Sequence, residues 1–98
     1  MEIEFADPTY DQLETDASFT GKFPFAVVKA YRKRIQLIRG ADDERDFYAL
    51  KSLHFEKLVG DREGQHSMRL NDQWRLILVL KRKAEGKLVI VISIADYH

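Results

Sequence analysis

The chain has 98 residues, of which 45% are hydrophobic and 33% are charged, so it is long enough for one domain with a modest core. It has no cysteine, which excludes a disulfide framework and any thiolate metal site. The net charge is zero, but it is unevenly distributed: residues 1–50 carry ten acidic and seven basic residues, and residues 51–98 carry six acidic and nine basic residues. A polyanion would therefore have to bind a local basic patch.

The first half of the chain predicts one short strand and two helices. Residues 3–5 fit an edge strand, whereas residues 7–21 are polar and are expected to be irregular. Over residues 24–39 apolar side chains recur at helical spacing, and the basic side chains, Arg34 among them, fill the other face. A shorter helix over residues 42–50 follows, because aspartates at its start can cap it.

The second half changes to a period of two residues. Residues 67–71, 73–80 and 88–95 alternate between two faces, with turn residues at 71–72 and 84–86. Two helices followed by an antiparallel meander predict an α+β fold with the helices on one face of the sheet. We expect a single domain that covers residues 1–98.

A membrane location is not expected. No segment contains the roughly 18 to 20 consecutive apolar residues that span a bilayer. The first residues are acidic and lack the basic and then apolar pattern of a signal peptide. The sequence therefore predicts a soluble, cytoplasmic protein with no membrane partner.

The first hairpin has a register that its side chains select. With Asp72 as the pivot, Leu70 faces Trp74. Met68 then faces Leu76, so apolar residues meet on one face of the sheet. A two-residue turn would instead place apolar residues opposite polar ones on both faces.

This register makes Arg69 and Arg75 direct cross-strand neighbours on the other face, with Cβ atoms about 5 Å apart. Because like charges repel at that distance, something anionic should share the face. Three interpretations stay open at this point. The guanidinium groups are splayed and hydrated, a carboxylate such as Glu56 or Asp61 bridges them, or the pair forms a phosphate site, for which arginine has the fork geometry.

The second hairpin extends the same face. Pairing Leu80 with Leu88 places Ser93 beside the second arginine and Tyr97 near Asn71. The last residues of the chain are therefore expected close to the arginine pair. Positions 96 and 98 have the opposite parity, which directs them toward the other face.

Residues 53–77 carry a specific motif, whose core over 60–75 reads Gly-Asp-Arg-Glu-Gly-Gln-His-Ser-Met-Arg-Leu-Asn-Asp-Gln-Trp-Arg. Together with the terminal Asp-Tyr-His, this stretch resembles the HigB branch of the RelE/ParE toxin superfamily. Residues 41–50 are similar in type to the short second helix of that family. The resemblance covers about the last 60 residues, and the first 22 are only generically compatible.

The resemblance implies a microbial RNase-like fold, in which two N-terminal helices pack on a curved antiparallel sheet of about four strands. It implies a toxin of a type II toxin–antitoxin system that inhibits translation by cutting messenger RNA in the ribosomal A site, as a metal-independent endoribonuclease without a cofactor. The implied partner is a helix-turn-helix antitoxin, through which the pair would bind and repress its own promoter DNA.

The resemblance also assigns roles to individual residues. The residues with implied catalytic roles are His98, Asp96, Tyr97 and Arg75. The residues implied to contact phosphate or RNA are Arg69, Arg62 and Lys57. One position departs from the family pattern, because the lysine expected immediately before Gly-Asp is Val59 here. Lys57 keeps the strand parity of that lysine but lies two residues earlier.

RNA cleavage without a metal needs a base for the ribose 2′-hydroxyl, an acid for the leaving 5′-oxygen and cations for the phosphorane. An ordinary pKa of about 6.5 suits His98 to either proton transfer. Tyr97 would stack on a base or orient the phosphate, and Asp96 would polarise a neighbour or act as a base. Without the resemblance, a terminal histidine is more often a frayed surface residue. His66 and Trp74 are expected to pack against the core.

Two other functions remain as alternatives. A toxin of the same fold without nuclease activity, a DNA gyrase inhibitor of the ParE type, is suggested by Val59 and by the neutral net charge. A module that mainly binds the antitoxin and acts as a co-repressor is compatible with the small size and the apolar helix faces.

Overall fold

The computed structural model describes residues 1–97, in which three α-helices accompany one five-stranded sheet. The elements in chain order are β1 (Glu2–Phe5), α1 (Pro8–Thr15), α2 (Phe25–Gly40), α3 (Arg45–Ala49), β2 (Glu56–Lys57), β3 (His66–Arg69), β4 (Trp74–Lys83) and β5 (Gly86–Asp96). Two 3₁₀ turns, at Lys51–Leu53 and Gly60–Arg62, lie on either side of β2. The predicted α+β class is confirmed.

The sheet has the strand order β1-β5-β4-β3-β2. Strands β2 to β5 form antiparallel pairs, whereas β1 lies at the edge and runs parallel to β5. The edge strand expected at residues 3–5 is confirmed, but the sheet has five strands and one parallel pair. Strand β2 was missed because two residues are too few to show a period of two.

Helix α1 corrects the expectation that residues 7–21 are irregular. The side chain of Asp7 accepts a hydrogen bond from the backbone N of Thr9 at 2.8 Å, and Pro8 occupies the first helical turn. Both features start helices, because they satisfy or remove backbone donors that have no partner at that end. Leu13 is the fully buried side chain of this helix, so the apolar periodicity was too sparse to predict it.

Helix α2 supplies the largest apolar helical face. Its buried residues are Val27, Val28, Tyr31, Ile35 and Ile38. They pack with α1 and with one face of the sheet, to which β3, β4 and β5 contribute Met68, Leu70, Leu76, Leu78, Val89, Val91 and Ile94. Each large side chain buried in this way contributes about 1.5–3 kcal/mol. The rings of Phe47 and Phe55 close one end of the core in an edge contact of 5.2 Å between centroids.

A β-bulge interrupts the pairing of β4 with β5. Leu80 pairs with Val89 rather than with the expected Leu88, and Ile92 is the extra residue at the register shift. Val89 therefore faces the helices before the bulge, and the inward alternation of β5 changes phase at the bulge. Within residues 1–97, no helix is long and apolar enough to cross a membrane.

Candidate phosphate-binding site

The candidate site lies at the turn between β3 and β4. The side-chain oxygen of Asn71 accepts hydrogen bonds from the backbone N of Gln73 at 2.9 Å and of Trp74 at 2.8 Å, which fixes the turn. The backbone N of Leu70 donates to the carbonyl of Trp74 at 3.0 Å. The three residues of the turn are therefore centred on Asp72, and the predicted pivot is confirmed.

Arg69 and Arg75 are directly opposite each other, as the register predicted. Nη1 of Arg75 donates to the carbonyls of Asn71 at 2.6 Å and of Trp74 at 3.1 Å, which holds this guanidinium against the turn. Arg69 forms an ion pair with Asp72, whose side chain is 97% exposed. We call Arg69 and Arg75 the arginine pair.

The partner of Arg69 corrects one of the sequence interpretations. The carboxylate on this face comes from Asp72 in the turn itself, whereas Glu56 and Asp61 make no hydrogen bond or ion pair to either arginine within residues 1–97. Asp72 is only three residues after Arg69, so its carboxylate reaches the guanidinium from within the same turn. Asp72 bonds Arg69, and the guanidinium of Arg75 forms no ion pair with any residue in the described chain.

A third arginine lies close to Arg69 and was missed in the sequence. Nε of Arg34, in α2, donates to the carbonyl of Arg69 at 3.0 Å. Burial and then the positive charge of Arg69 lower the pKa of Arg34. The helical pattern placed Arg34 on the solvent face, but it is half-buried at the edge of the sheet. Arg34 is partly buried because the end of β3 lies beside α2, and the sequence pattern does not reveal which strand end lies beside a helix.

Tyr97 lies next to Arg75, as expected, although by a different register. The Cζ atom of Arg75 is 5.8 Å from the centroid of the Tyr97 ring, within the range of a cation–π contact. The backbone N of Tyr97 donates to the carbonyl of Gln73 at 2.6 Å, so the end of β5 is bonded to the turn between β3 and β4.

The residue beside Arg75 is also different from the one predicted. Ala95 pairs with Arg75, whereas Ser93 pairs with Ile77. The expected register was wrong by two residues at this end, because the first pairs of the hairpin are offset by one residue and the bulge adds another. An offset of two residues keeps the parity, which is why Tyr97 still shares a face with the arginine pair.

Asp96 takes the other parity, as predicted, and pairs with Trp74. Both of its carboxylate oxygens accept hydrogen bonds from Nε2 of Gln73 at 3.1 Å. His98, which the sequence placed in the same terminal cluster, lies outside the described residues. The described part of that cluster therefore consists of Asp96 and Tyr97.

Lys57 and Arg62 lie farther along the sheet than the arginine pair. Lys57 pairs with His66, and His66 is three residues before Arg69 on β3, which is about 10 Å along the strand. Arg62 ends the exposed turn Gly60–Arg62 and makes no side-chain hydrogen bond or ion pair within residues 1–97. Val59, at the position where a lysine was expected, is 86% exposed on the same loop.

The side chains of His66 and Trp74, which were expected to pack against the core, do so. The ring of His66 stacks on Phe55 with 5.0 Å between centroids, and Trp74 meets Phe23 edge-on at 5.9 Å. Burial and then the charge of Lys57 lower the pKa of His66, so the ring is neutral at pH 7. These two residues support the sheet from the helical side, opposite the arginine pair.

The arrangement fits a phosphate group. Two guanidinium groups on one face offer forked donors at close range, and the aromatic ring beside them can pack on a sugar or base. In the part of the chain described, no three metal-ligating side chains come together. The groups that this face offers are two guanidinium groups, flanked by the phenol of Tyr97 and the carboxylate of Asp72.

Comparison with known proteins supports the family that the motif suggested. No protein-family profile matches the chain. Toxin HigB-1 of Vibrio cholerae is 30% identical over 77 residues, which is 79% of this chain and 81% of that protein.

Two solved structures share the fold. A YoeB/ParE toxin from Agrobacterium tumefaciens superposes with a TM-score of 0.64 at 17% identity and covers 100% of both chains. A chain of a YoeB–YefM complex from Staphylococcus aureus gives a TM-score of 0.58 at 18% identity, covering 100% of this chain and 97% of the other. The fold is thus the one that the YoeB and ParE toxins have, and the chain belongs to the HigB family of toxins.

Proposed function

We propose that this toxin is an endoribonuclease that cuts messenger RNA on the ribosome and thereby inhibits translation. The observation that carries the proposal is the arginine pair on the face of the sheet opposite the helices, with Tyr97 against Arg75. Two cations that face each other across a strand pair repel, so an anion bound there is favoured over an empty site. A phosphodiester is the anion that suits the paired forks.

The reaction we propose is attack of a ribose 2′-oxygen on the neighbouring phosphorus. The bond from phosphorus to the 5′-oxygen breaks, and a 2′,3′-cyclic phosphate and a free 5′-hydroxyl remain. Arg75 and Arg69 hold the phosphate and stabilise the additional negative charge of the phosphorane. This chemistry uses a nucleophile that the substrate supplies, so the roles left for the protein are positioning, charge stabilisation and two proton transfers.

The terminal residues are proposed for the proton transfers. His98 takes the 2′-hydroxyl proton or protonates the 5′-oxygen, and Tyr97 orients the phosphate or stacks on a base. Asp96 holds Gln73 next to the site and polarises the terminal group. Lys57 and Arg62, which are about 10 Å or more along the sheet, contact phosphates before or after the scissile one.

A helix-turn-helix antitoxin is the proposed partner in the resting cell. The staphylococcal neighbour is itself a YoeB–YefM toxin–antitoxin complex, which supports the idea that this fold is held by a cognate protein. Promoter DNA would be bound only through that antitoxin. The ribosome and its messenger RNA are the proposed partners of the released toxin.

The experiment is to induce the chain in cells and map the 5′ ends of transcripts. Arg75→Ala and His98→Ala should each abolish new cuts, whereas Arg82→Ala, which removes the same charge from an exposed site at the far end of β4, should leave them unchanged. Growth arrest without new 5′ ends would contradict the proposal, as would unchanged cutting by the Arg75 variant.

The exposed Val59 favours one second candidate, inhibition of DNA gyrase, because it removes a cation from the face of the proposed nuclease site. A supercoiling assay with purified gyrase separates the two functions. Toxin-dependent DNA breaks would favour the gyrase target, and unimpaired supercoiling would exclude it. Retained antitoxin binding without growth inhibition would instead indicate a co-repressor module.

A further inference from the structure

Helix α2 and the segments beside it have an unusual charge distribution. Residues 17–41 contain six basic residues and no acidic residue, although the first half of the chain is acidic as a whole. The six are Lys22, Lys29, Arg32, Lys33, Arg34 and Arg39. A surface of this kind attracts an anion unless its charges are used within the fold.

Three of the six bases make contacts of this kind, although Arg34 does so through its Nε alone. Arg32 donates to the carbonyls of Leu13 at 2.8 Å, of Asp16 at 3.1 Å and of Phe19 at 3.1 Å, and so fixes the connection between α1 and α2. Arg39 forms an ion pair with Glu14 at 2.7 Å. The charges of these two arginines are therefore explained by the fold.

The outward row of α2 is not explained by the fold. Phe25, Lys29 and Lys33 follow one another at intervals of four residues, so they lie on one side of the helix at a rise of about 6 Å per step. Phe25 is 68% exposed. Within residues 1–97 neither lysine makes a hydrogen bond or an ion pair. We call these three residues the α2 row.

The α2 row connects with the arginine pair. Lys29, Lys33 and Arg34 surround a surface hollow of about 330 Å³ whose floor is Ala26, Ala30 and Leu70. Leu70 follows Arg69 directly, and Arg34 bonds the carbonyl of Arg69. The arginine pair itself lies on the opposite face of the sheet, so Arg34, beside the end of β3, joins the cations of the helix to the candidate site around the end of that strand, without an intervening acid on α2.

We propose that the α2 row and Arg34 bind single-stranded RNA, namely the stretch that flanks the phosphate held by the arginine pair. The inference rests on the proposed function, and it adds a second contact surface to it. A row of lysines alone would also fit an acidic peptide. The exposed ring of Phe25 in line with the lysines favours RNA, because an aromatic platform beside cations is how proteins hold single strands through base stacking and phosphate contacts.

Binding is measured by fluorescence anisotropy with the full chain and a labelled single-stranded RNA of about 16 nucleotides, a length within the known range of site sizes. Its riboses carry 2′-O-methyl groups, so it cannot be cut by attack of the 2′-oxygen. Lys29→Gln/Lys33→Gln should reduce the slope of log K against log salt by about 1.4, as two lost phosphate contacts on a single strand predict. Phe25→Ser should weaken binding about fivefold or more, because one stacked base is lost.

The matched control is Lys81→Gln/Arg82→Gln, which removes two exposed charges about 20 Å along β4 from Arg75. This variant should keep the wild-type slope within error. An equal loss of slope in both double variants would overturn the inference, because net charge rather than the α2 row would then govern binding. An equal loss of affinity for a glutamate-rich peptide would overturn the choice of RNA.

The failure of this inference differs from a failure of the proposed function. If wild type cuts transcripts in cells and Lys29→Gln/Lys33→Gln binds the RNA normally, the α2 row is not an RNA surface and the nuclease assignment stands. If wild type makes no cuts but the double variant loses RNA affinity with the expected slope, the binding surface stands and the nuclease assignment is wrong. All variants change exposed side chains, and their melting curves should match that of wild type.

Discussion

The two members of the arginine pair should have unequal effects on stability when the same charge is removed from each. Arg75 donates two hydrogen bonds from a partly buried guanidinium to the carbonyls of Asn71 and Trp74. Arg69 has only its ion pair with the exposed Asp72. The perturbation is therefore a pair of single variants, Arg69→Gln and Arg75→Gln.

The expected magnitudes follow from these contacts. Loss of hydrogen bonds from a charged donor costs about 1.5–3 kcal/mol, and release of the cross-strand repulsion returns about 0.2–1 kcal/mol. Arg75→Gln should therefore lower the free energy of unfolding by about 0.5–3 kcal/mol. An exposed ion pair contributes about 0–1 kcal/mol. Because Arg69→Gln loses that pair but gains the same release, it should leave the free energy of unfolding unchanged or slightly higher.

Urea unfolding followed by circular dichroism measures the difference. A change of about 1 kcal/mol moves the urea midpoint by roughly 0.3–1 M, or the melting temperature by about 4–8 °C for a chain of this size. Added salt should raise the stability of wild type more than that of either variant, because it screens the repulsion. Equal destabilisation by both variants, or salt responses identical to wild type, would refute the reasoning. Both variants should nevertheless lose cutting, since both guanidinium groups are proposed to hold the phosphate.

Three further predictions concern the support of the site. Because the pKa of His66 is lowered, the neutral ring stabilises the fold above the usual pKa of 6.5, and this stabilisation is lost as the pH falls through the lowered pKa. His66→Phe should therefore flatten the decline of the melting temperature between about pH 7 and 5. An unchanged slope would contradict that assignment. Arg32→Met should reduce stability by about 1.5–3 kcal/mol and speed proteolysis between α1 and α2, because the carbonyls that this arginine holds lose their donor. Urea unfolding and the mapping of early cleavage sites test this, and early cuts elsewhere would count against it. Phe47→Ala should lower the free energy of unfolding by about 3–5 kcal/mol, since the ring is fully buried. Urea denaturation measures this change, and a loss below about 1 kcal/mol would contradict the described packing.

The first hairpin could be predicted because each of its faces has a distinct composition. Met68 and Leu76 are apolar on the helical face, while Arg69 and Arg75 are charged on the other, so any slip by one residue would bury charge. The pairing of the two arginines follows from that constraint alone. The motif then added a chemical interpretation to a register that physical reasoning had already selected.

The second hairpin could not be predicted in the same way. From Leu88 to Ile92 strand β5 is apolar at every position, so a slip by one residue exchanges one apolar side chain for another. Nothing in the pattern penalises the wrong register, and nothing marks the bulge. The position of Arg34 was hidden for a related reason, because a helical pattern does not show which polar residue lies beside the end of a neighbouring strand.

The bulge in β5 also separates two properties of the strand that usually change together. Elsewhere in the strand, deletion of one residue would reverse the side on which every later residue lies. Because Leu78 pairs with Val91 and Ile77 with Ser93, removal of Ile92 would instead leave an uninterrupted ladder in which every later residue keeps its partner and its side. The strand can therefore lose this one residue, and with it the local bend, while Tyr97 stays on the side of the guanidinium groups.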